Sequence, residues 1–511
     1  MMTAHDPLLA GGNALDARPH AIVIGAGFGG LAAAIRLGAR GYRVTIVEKF
    51  DAPGGRAAQF RQDGYVFDAG PTIVTAPFIF EELWALCGRK VSDDVTLVPL
   101  DPFYTVRFDD GTEFRVNGDE AFMEAEVAKL SPGDIGGYRR YLDESKRCFK
   151  TGFLGMIDRV YLSLGAMAGA MPALVMRRAE RSIYKLVSKY IRNEKLRQAL
   201  SFHPLFIGGN PMRSSGVLSL ISYLEREYGV HYAMGGTHAL VRGMTGLIAG
   251  QGGTIRTGAE VDEITVEGRR ATGVRLVSGE VLSADIVVSN ADTGWTYTKL
   301  LRNLPRKRWT DAKVNNAKYS MSLFVWYFGT DCRYEDVEHH TVLLGKRYGG
   351  LLHDIFDAKI LADDFSLYLY RPTATDTSVA PKGCDTFYVL SPVPNLDGKI
   401  DWETGAEPYR QKIQAYLESS LLPGLGDHLV TSRVITPEHF HSKLLSVKGA
   451  AFGMEPTILQ LAWFRPHNKS EELDNLYIVG AGTHPGAGLP GVVSSAKILD
   501  KVVPHASTFA R

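Results

Sequence analysis

The sequence predicts an α/β fold in which a parallel-sheet unit is assembled from distant parts of the chain and a second, mixed α+β domain is inserted between them. Three observations predict it. Residues 21–24 (AIVI) form an apolar run that ends in Gly25-x-Gly27-x-x-Gly30 and passes into a helical stretch. Residues 475–479 (NLYIV) form another strand-like run that ends in Gly480-Ala481-Gly482, close to the far end of the chain. Between them lie two long inserts, roughly residues 79–230 and 297–470, with strand and helix patterns but no internal repeat.

Taken in order, residues 21–24 read as a buried parallel strand, because a short wholly apolar run suits a strand covered on both faces. A helix follows from Leu31, Gly41 marks the turn out of it, and residues 44–47 (VTIV) give the next buried strand, which completes a βαβ opening. Residues 261–266 and 272–276 are predicted strands around the turn at 267–270, and Ser278-Gly279 signals a further hairpin. Residues 285–290 (DIVVSN) read as a strand ending in polar residues. In the second insert, residues 322–328 are a predicted strand and 409–421 a predicted helix. A helix from about 491 to 503 closes the chain. The division is therefore a loose tail at 1–20, a discontinuous nucleotide-binding domain at 21–78, 231–296 and 474–511, and a substrate domain at 79–230 and 297–473.

Composition narrows the function. Lys plus Arg is 57 and Asp plus Glu is 56, so the net charge of +1 gives no electrostatic footprint for nucleic acid. The 54 glycines in 511 residues exceed the usual ~7% and sit in short clusters, which suits backbone–ligand contacts. The four cysteines (Cys87, Cys148, Cys332, Cys384) are widely spaced and show no C-x-x-C pair, so neither a disulfide framework nor a metal site is expected, and a reducing, cytoplasmic setting fits. The first 20 residues lack a basic region followed by an apolar run, so no secretory signal is expected there.

The chemistry lies in the glycine loops. In a strand–turn–helix, Gly25 permits the tight turn, Gly27 lets the backbone approach a pyrophosphate, and Gly30 allows close helix–strand packing. The phosphates would meet free N–H groups and the positive end of the helix dipole. Glu48, 18 residues after Gly30, ends the second strand where a carboxylate binds ribose hydroxyls and would repel a 2′-phosphate, so NADP is disfavoured. Residues 51–56, ending in Gly54-Gly55-Arg56, add a close backbone approach and a guanidinium for a phosphate, which suits the longer flavin dinucleotide. Gly70-Pro71-Thr72 makes another tight turn. With Gly480–Gly482 at the other end of the chain, these loops suit one extended ligand held from both sides.

These stretches resemble the bacterial-type phytoene desaturases, carotenoid oxidoreductases of the wider flavin amine oxidase-like superfamily. The resemblance is carried by AIVIGAGFGGLAAAIRL (21–37), PGGRA (53–57), FDAGPTIVT (67–75), LSFHPLFIGGNP (200–211), LEREYGVHYAMGG (224–236), VVSNAD (287–292), AWFRPHN (462–468) and LYIVGAGTHPGAGLPGV (476–492). It implies a Rossmann-like FAD-binding domain of the glutathione-reductase type and stepwise dehydrogenation of phytoene toward neurosporene or lycopene. On the matching positions, the FAD residues would be Gly25, Gly27, Phe28, Gly29, Gly30, Glu48, Lys49, Gly55, Arg56, Gly70, Pro71, Thr72, Val261, Gly480, Ala481, Gly482, Pro490, Gly491 and Val492. Close relatives differ in substrate, so a desaturase or isomerase acting on a later hydroxy- or methoxy-carotenoid is an alternative. So is a non-redox isoprenoid-binding protein of the same fold, against which the intact glycine loops argue.

Phytoene is a hydrocarbon without a hydrogen-bond handle, so the flavin must supply the chemistry, by hydride removal from an allylic carbon followed by loss of a vicinal proton. Electrons would leave to a quinone or oxygen. No general base is legible. His203, Glu225, Glu227 and His484 are candidates by position alone; His203 reads as a core histidine, and Glu225 and Glu227 as the solvated end of a helix. His339-His340 reads as surface. Residues 160–176 carry no charge and precede Arg177, Arg178 and Arg181. This segment is either a buried core helix or an apolar element that dips into a leaflet beside anionic headgroups, and a lipid-borne substrate favours peripheral membrane attachment.

Overall fold

The computed structural model describes residues 17–509; of the proposed N-terminal tail, residues 1–16 lie outside the described residues. Strand His20–Ile24 forms the centre of a five-stranded sheet. The order is Leu476–Ile478, Ile286–Ser289, His20–Ile24, Arg43–Val47, Thr254–Arg256, with every neighbouring pair parallel. The apolar runs at 21–24, 44–47 and 285–290 are the inner strands, buried because helices cover the sheet, and the run at 475–479 lies at its edge. Helix Phe28–Ala39 (FGGLAAAIRLGA) uses small residues to lie close to the strands and packs against helices His238–Gly250 and Leu489–Lys497. The closing helix begins at Leu489, earlier than the sequence suggests, with Pro490 in its first turn. It breaks at Ile498 before a short turn of helix, Leu499–Val502. The hairpin strands Val261–Glu267 and Arg270–Leu276 form as expected, with Val281–Ser283 as a third antiparallel strand.

The two inserts share one seven-stranded sheet. Its order is Leu429–Ile435, Ser322–Thr330, Asp385–Val393, Leu367–Tyr370, His340–Leu344, Tyr104–Phe108, Glu113–Val116. One parallel pair, His340–Leu344 with Tyr104–Phe108, joins the second insert to the first. Strand Ser322–Thr330 is buried along its length, and its period of two separates the faces. Phe324, Trp326 and Phe328 pack under helix Trp402–Ser420 with Trp402, Tyr409, Ile413 and Leu417. Leu323, Val325 and Tyr327 point the other way, into the cluster that walls the central cavity.

Two expectations are corrected, and one of the two alternatives for residues 160–176 falls away. His339 and His340 are not on the surface: both are buried, with His340 opening the interior strand His340–Leu344. Glu225 is not a solvated helix end but is buried on helix Leu220–Tyr228, whereas Glu227 is exposed as expected. Residues 160–176 do not form a buried core helix. They make two short helices, Leu164–Ala168 and Met171–Met176, interrupted at Gly169, and leave Leu164, Val175 and Met176 63–69% exposed.

Candidate functional site

The site grows from the first strand–helix turn. Gly25 has φ +92°, a conformation that glycine adopts without strain. Gly27 precedes helix Phe28–Ala39 in extended conformation, without a side-chain cap and without an acidic residue in the first turn, so the helix start is open to an anion. The Pro53-Gly54-Gly55-Arg56 loop lies directly beside it: the Gly54 N–H donates to the Ala26 carbonyl at 2.9 Å, and Gly27 and Gly54 form an isolated parallel bridge. The C-terminal loop closes from the other side. A methyl group on Gly29 would stand 3.0 Å from both Cα and N of Gly480. The two ends of the chain therefore meet at one helix start.

Asn290, at the end of strand Ile286–Ser289, fills the space between these loops. Its amide would lie within 3.0 Å of a methyl group on Gly27, Gly29 or Gly480. In the sequence it is visible only as part of VVSNAD (287–292), because nothing local to a polar strand end announces the two remote loops it meets. Glu48 is buried, and its carboxylate accepts from the N–H of Ala26 at 2.6 Å and of Phe50 at 3.1 Å. That pins it at the strand end with acceptor capacity left over, since a carboxylate offers about four lone-pair sites. Ala259 donates to the Glu48 carbonyl, which brings Val261 to the same rim. Arg56 donates from Nη2 to Ser446 Oγ at 2.5 Å, while its Nε has no partner. Burial lowers the Arg56 pKa and raises that of Asp292; each charge partly offsets the penalty on the other.

A cavity of about 850 Å³ runs from these loops into the second domain. It is walled by Gly25, Gly27, Phe28, Gly29, Glu48, Lys49, Gly55 and Arg56, by Gly70, Pro71 and Thr72, by Val261, and by Ala481, Pro490, Gly491 and Val492. Gly30, Gly480 and Gly482 stand behind the wall. A methyl group on Gly30 would overlap the Gly25 carbonyl and one on Gly482 would overlap Thr293, so these glycines serve close packing. Beyond the loops the wall becomes apolar, with Leu205, Phe206, Leu218, Leu224, Val325 and Val342 among its residues. It reaches Met167, Leu174 and Ile458, beside the exposed apolar helices.

The four candidate bases separate. Glu227 is outside the cavity and accepts from Tyr223 at 2.8 Å. His203 is buried, its Nε2 3.0 Å from the Tyr104 hydroxyl and 3.4 Å from Glu225, and it does not wall the main cavity. Glu225 does wall it, and accepts from Tyr104 at 3.0 Å. His484 also walls it; its Nε2 donates to the Met156 carbonyl at 2.7 Å, which leaves Nδ1 without a partner. Burial holds the His484 imidazole down at about 4.

Because the folded chain binds that proton more weakly than the unfolded chain, His484 contributes stability that is full above pH 6.5 and is lost as pH falls toward 4. His484→Gln retains an N–H for Met156 without the titration. Its acid-side loss of stability is expected to be shallower than that of the parent protein by about 2–3 kcal/mol between pH 7 and 4. Urea unfolding at each pH reads this directly, and parallel curves would contradict it.

Comparison with known proteins decides the family. The model of the flavin containing amine oxidoreductases matches residues 28–498. The chain belongs to the flavin-containing amine oxidoreductase family. It is 53% identical to a phytoene desaturase (neurosporene-forming) of Cereibacter sphaeroides, over 96% of each chain. It is 46% identical to a phytoene desaturase (lycopene-forming) of Pseudescherichia vulneris, over 93% of this chain and 97% of that one. Cyclohexylamine oxidase from Brevibacterium oxydans shares the fold with a TM-score of 0.59 at 15% identity, over 97% of this chain and all of that one. This member of the flavin amine oxidoreductases is an oxidoreductase whose cofactor is FAD. The cradle suits that group: bare glycine backbone at a helix start, an orphaned guanidinium nitrogen on Arg56, and a fixed carboxylate at Glu48. No helix among the described residues is long and apolar enough to cross a membrane.

Proposed function

We propose that the chain is an FAD-dependent phytoene desaturase that dehydrogenates phytoene stepwise toward neurosporene or lycopene. The observation that carries this reading is the continuity of one cavity from a dinucleotide cradle into an apolar wall. A hydrocarbon gains nothing from polar anchors and is held by apolar contact alone. In this reading the parallel-sheet unit (21–78, 231–296 and 474–511) binds FAD and the remainder (79–230 and 297–473) holds the polyene. Gly27, Phe28 and Gly29 present backbone N–H groups to the pyrophosphate, while Gly25, whose N–H donates to the Val47 carbonyl at 2.8 Å, shapes the turn. Glu48 takes the ribose hydroxyls, with Lys49 and Val261 at the adenosine end. Gly55, Arg56, Gly70, Pro71 and Thr72 line the flavin end, and Ala481, Pro490, Gly491 and Val492 close it. Gly30, Gly480 and Gly482 set the spacing of the loops from behind.

FAD, when bound, accepts the hydride taken from an allylic carbon. The protein's part is to hold the polyene against it, to exclude water, and to take the proton. Electrons then pass to a quinone or to oxygen. The substrate arrives from lipid: Leu164, Val175, Met176 and Leu459 are exposed around the apolar end of the cavity, beside Arg178, and would rest on an anionic membrane surface as a peripheral attachment. Pigments extracted after co-expression with a phytoene synthase test the substrate. Red lycopene or yellow neurosporene is expected. Unchanged phytoene would sink the assignment and point to a later carotenoid or to a carrier without redox activity.

A further inference from the structure

The geometry points to Thr72, Tyr368 and His340 as a relay that takes up the proton lost by the substrate, an inference that rests on the cavity being a chamber for flavin and polyene. Removal of a hydride from one carbon leaves an allylic cation, and the neighbouring carbon must then lose a proton inside a largely apolar wall. Few groups there can accept it. Thr72 follows Gly70-Pro71, and the space beside Gly70 is filled by the Arg56 carbonyl, so Thr72 stands at the cofactor end of the cavity. Its Oγ1 lies 2.7 Å from the Tyr368 hydroxyl, which lies 2.7 Å from His340 Nδ1. Thr72 and Tyr368 both wall the cavity, whereas His340 is wholly enclosed behind them.

The chain runs outward to the cavity when His340 carries its proton on Nε2. A neutral His340 that accepts at Nδ1 orients the Tyr368 hydrogen toward itself, Tyr368 then accepts from Thr72, and Thr72 Oγ1 keeps its lone pairs for the cavity. Tyr388, the next hydroxyl on this wall, donates to the Gly70 carbonyl at 2.9 Å and also neighbours the Thr72 hydroxyl. Burial and the adjacent His339 keep His340 neutral at rest. Its ring stacks on Tyr370, 5.5 Å between centroids, and the Tyr370 hydroxyl donates to the buried carboxyl of Asp68 at 3.2 Å.

The step balances. The substrate C–H bond breaks and its electron pair becomes the new C=C π bond. The proton binds Thr72 Oγ1 as the hydrogen of Thr72 passes to Tyr368 and that of Tyr368 passes to His340 Nδ1. Both hydroxyls end neutral and the positive charge moves from hydrocarbon to imidazolium. With the hydride already on the flavin, the substrate has lost two hydrogens and two electrons. An allylic cation is a strong acid, so a weakly basic imidazole suffices. Thr72 meets the substrate, and Tyr368 and His340 act through it.

The test uses Thr72→Val and Tyr368→Phe, which delete one hydroxyl each and keep the shape of the side chain. Prepared at saturating FAD, both holoproteins are expected to be bleached by phytoene under nitrogen and to form product in a single turnover about 100-fold more slowly. The relay hydrogens exchange with solvent, so D₂O is expected to slow product formation about twofold or more in the parent protein and not in either variant. In the oxidised holoprotein, ¹⁵N NMR of the imidazoles is expected to show His340 neutral with an accepting Nδ1, and Tyr368→Phe to shift that resonance. Variants within twofold of the parent rate, with a bleached flavin, overturn the relay alone. A parent flavin that phytoene does not bleach overturns the chamber reading and the relay with it.

Discussion

Replacing Gly29 by alanine is expected to yield a colourless protein whose affinity for FAD is weaker by about 10- to 100-fold. In an exposed helix this change normally stabilises by about 1 kcal/mol, because glycine is the poorer helix former. Here the sign reverses. The added methyl group meets Gly480 backbone at 3.0 Å and Asn290 Oδ1 at 2.5 Å, and backbone on a buried strand end has nowhere to go. Overpacking of that kind costs about 1–3 kcal/mol, paid by separating the two loops that shape the cradle. Gly246→Ala, on helix His238–Gly250 where a methyl group meets nothing within 4 Å, is the control and should bind FAD as the parent does. Titration of flavin fluorescence measures both. Equal affinity for G29A would show that the contact between chain ends has no part in holding the cofactor.

The double substitution Leu164→Glu with Val175→Glu is expected to abolish co-flotation with anionic vesicles. Both side chains are more than 60% exposed, so removing them takes little from the folded protein, and the melting temperature and flavin spectrum should be unchanged. At a membrane each loses about 1–2 kcal/mol of apolar contact and adds a charge repelled by the headgroups, which together weaken partition by about 100-fold or more. Activity with phytoene in liposomes should fall in step with binding. A variant that floats with vesicles as the parent does would end the membrane reading of residues 160–176.

The parallel-sheet unit was legible because its signals are local. An apolar run, a glycine turn and a helix occur within a few residues, and each step restricts the next. The loops at 25–30, 53–56 and 480–482 were readable for the same reason. The seven-stranded sheet was not, since nothing near Tyr104 announces that strand Tyr104–Phe108 will pair with His340–Leu344 more than 200 residues later. His339-His340 has no carboxylate or cysteine at ligand spacing and so reads as surface, but strand pairing buries both rings among Tyr232, Tyr368 and Tyr370. Glu225 resembled a solvated carboxylate because its partner Tyr104 is remote in sequence. The uncharged character of residues 160–176 was plain, but whether such a run faces core or solvent depends on what covers it, and that is a property of the assembled chain.

The meeting of Gly29 with Gly480 also bears on how the protein is made. A ribosome delivers the first glycine loop long before the strand and helix that complete its far side, Leu476–Ile478 and Leu489–Lys497. Through that interval the nascent polypeptide carries one side of the cleft only. A message cut short before codon 480 should therefore give a product that never acquires its prosthetic group, and the cell's proteases would meet it with that cleft still open.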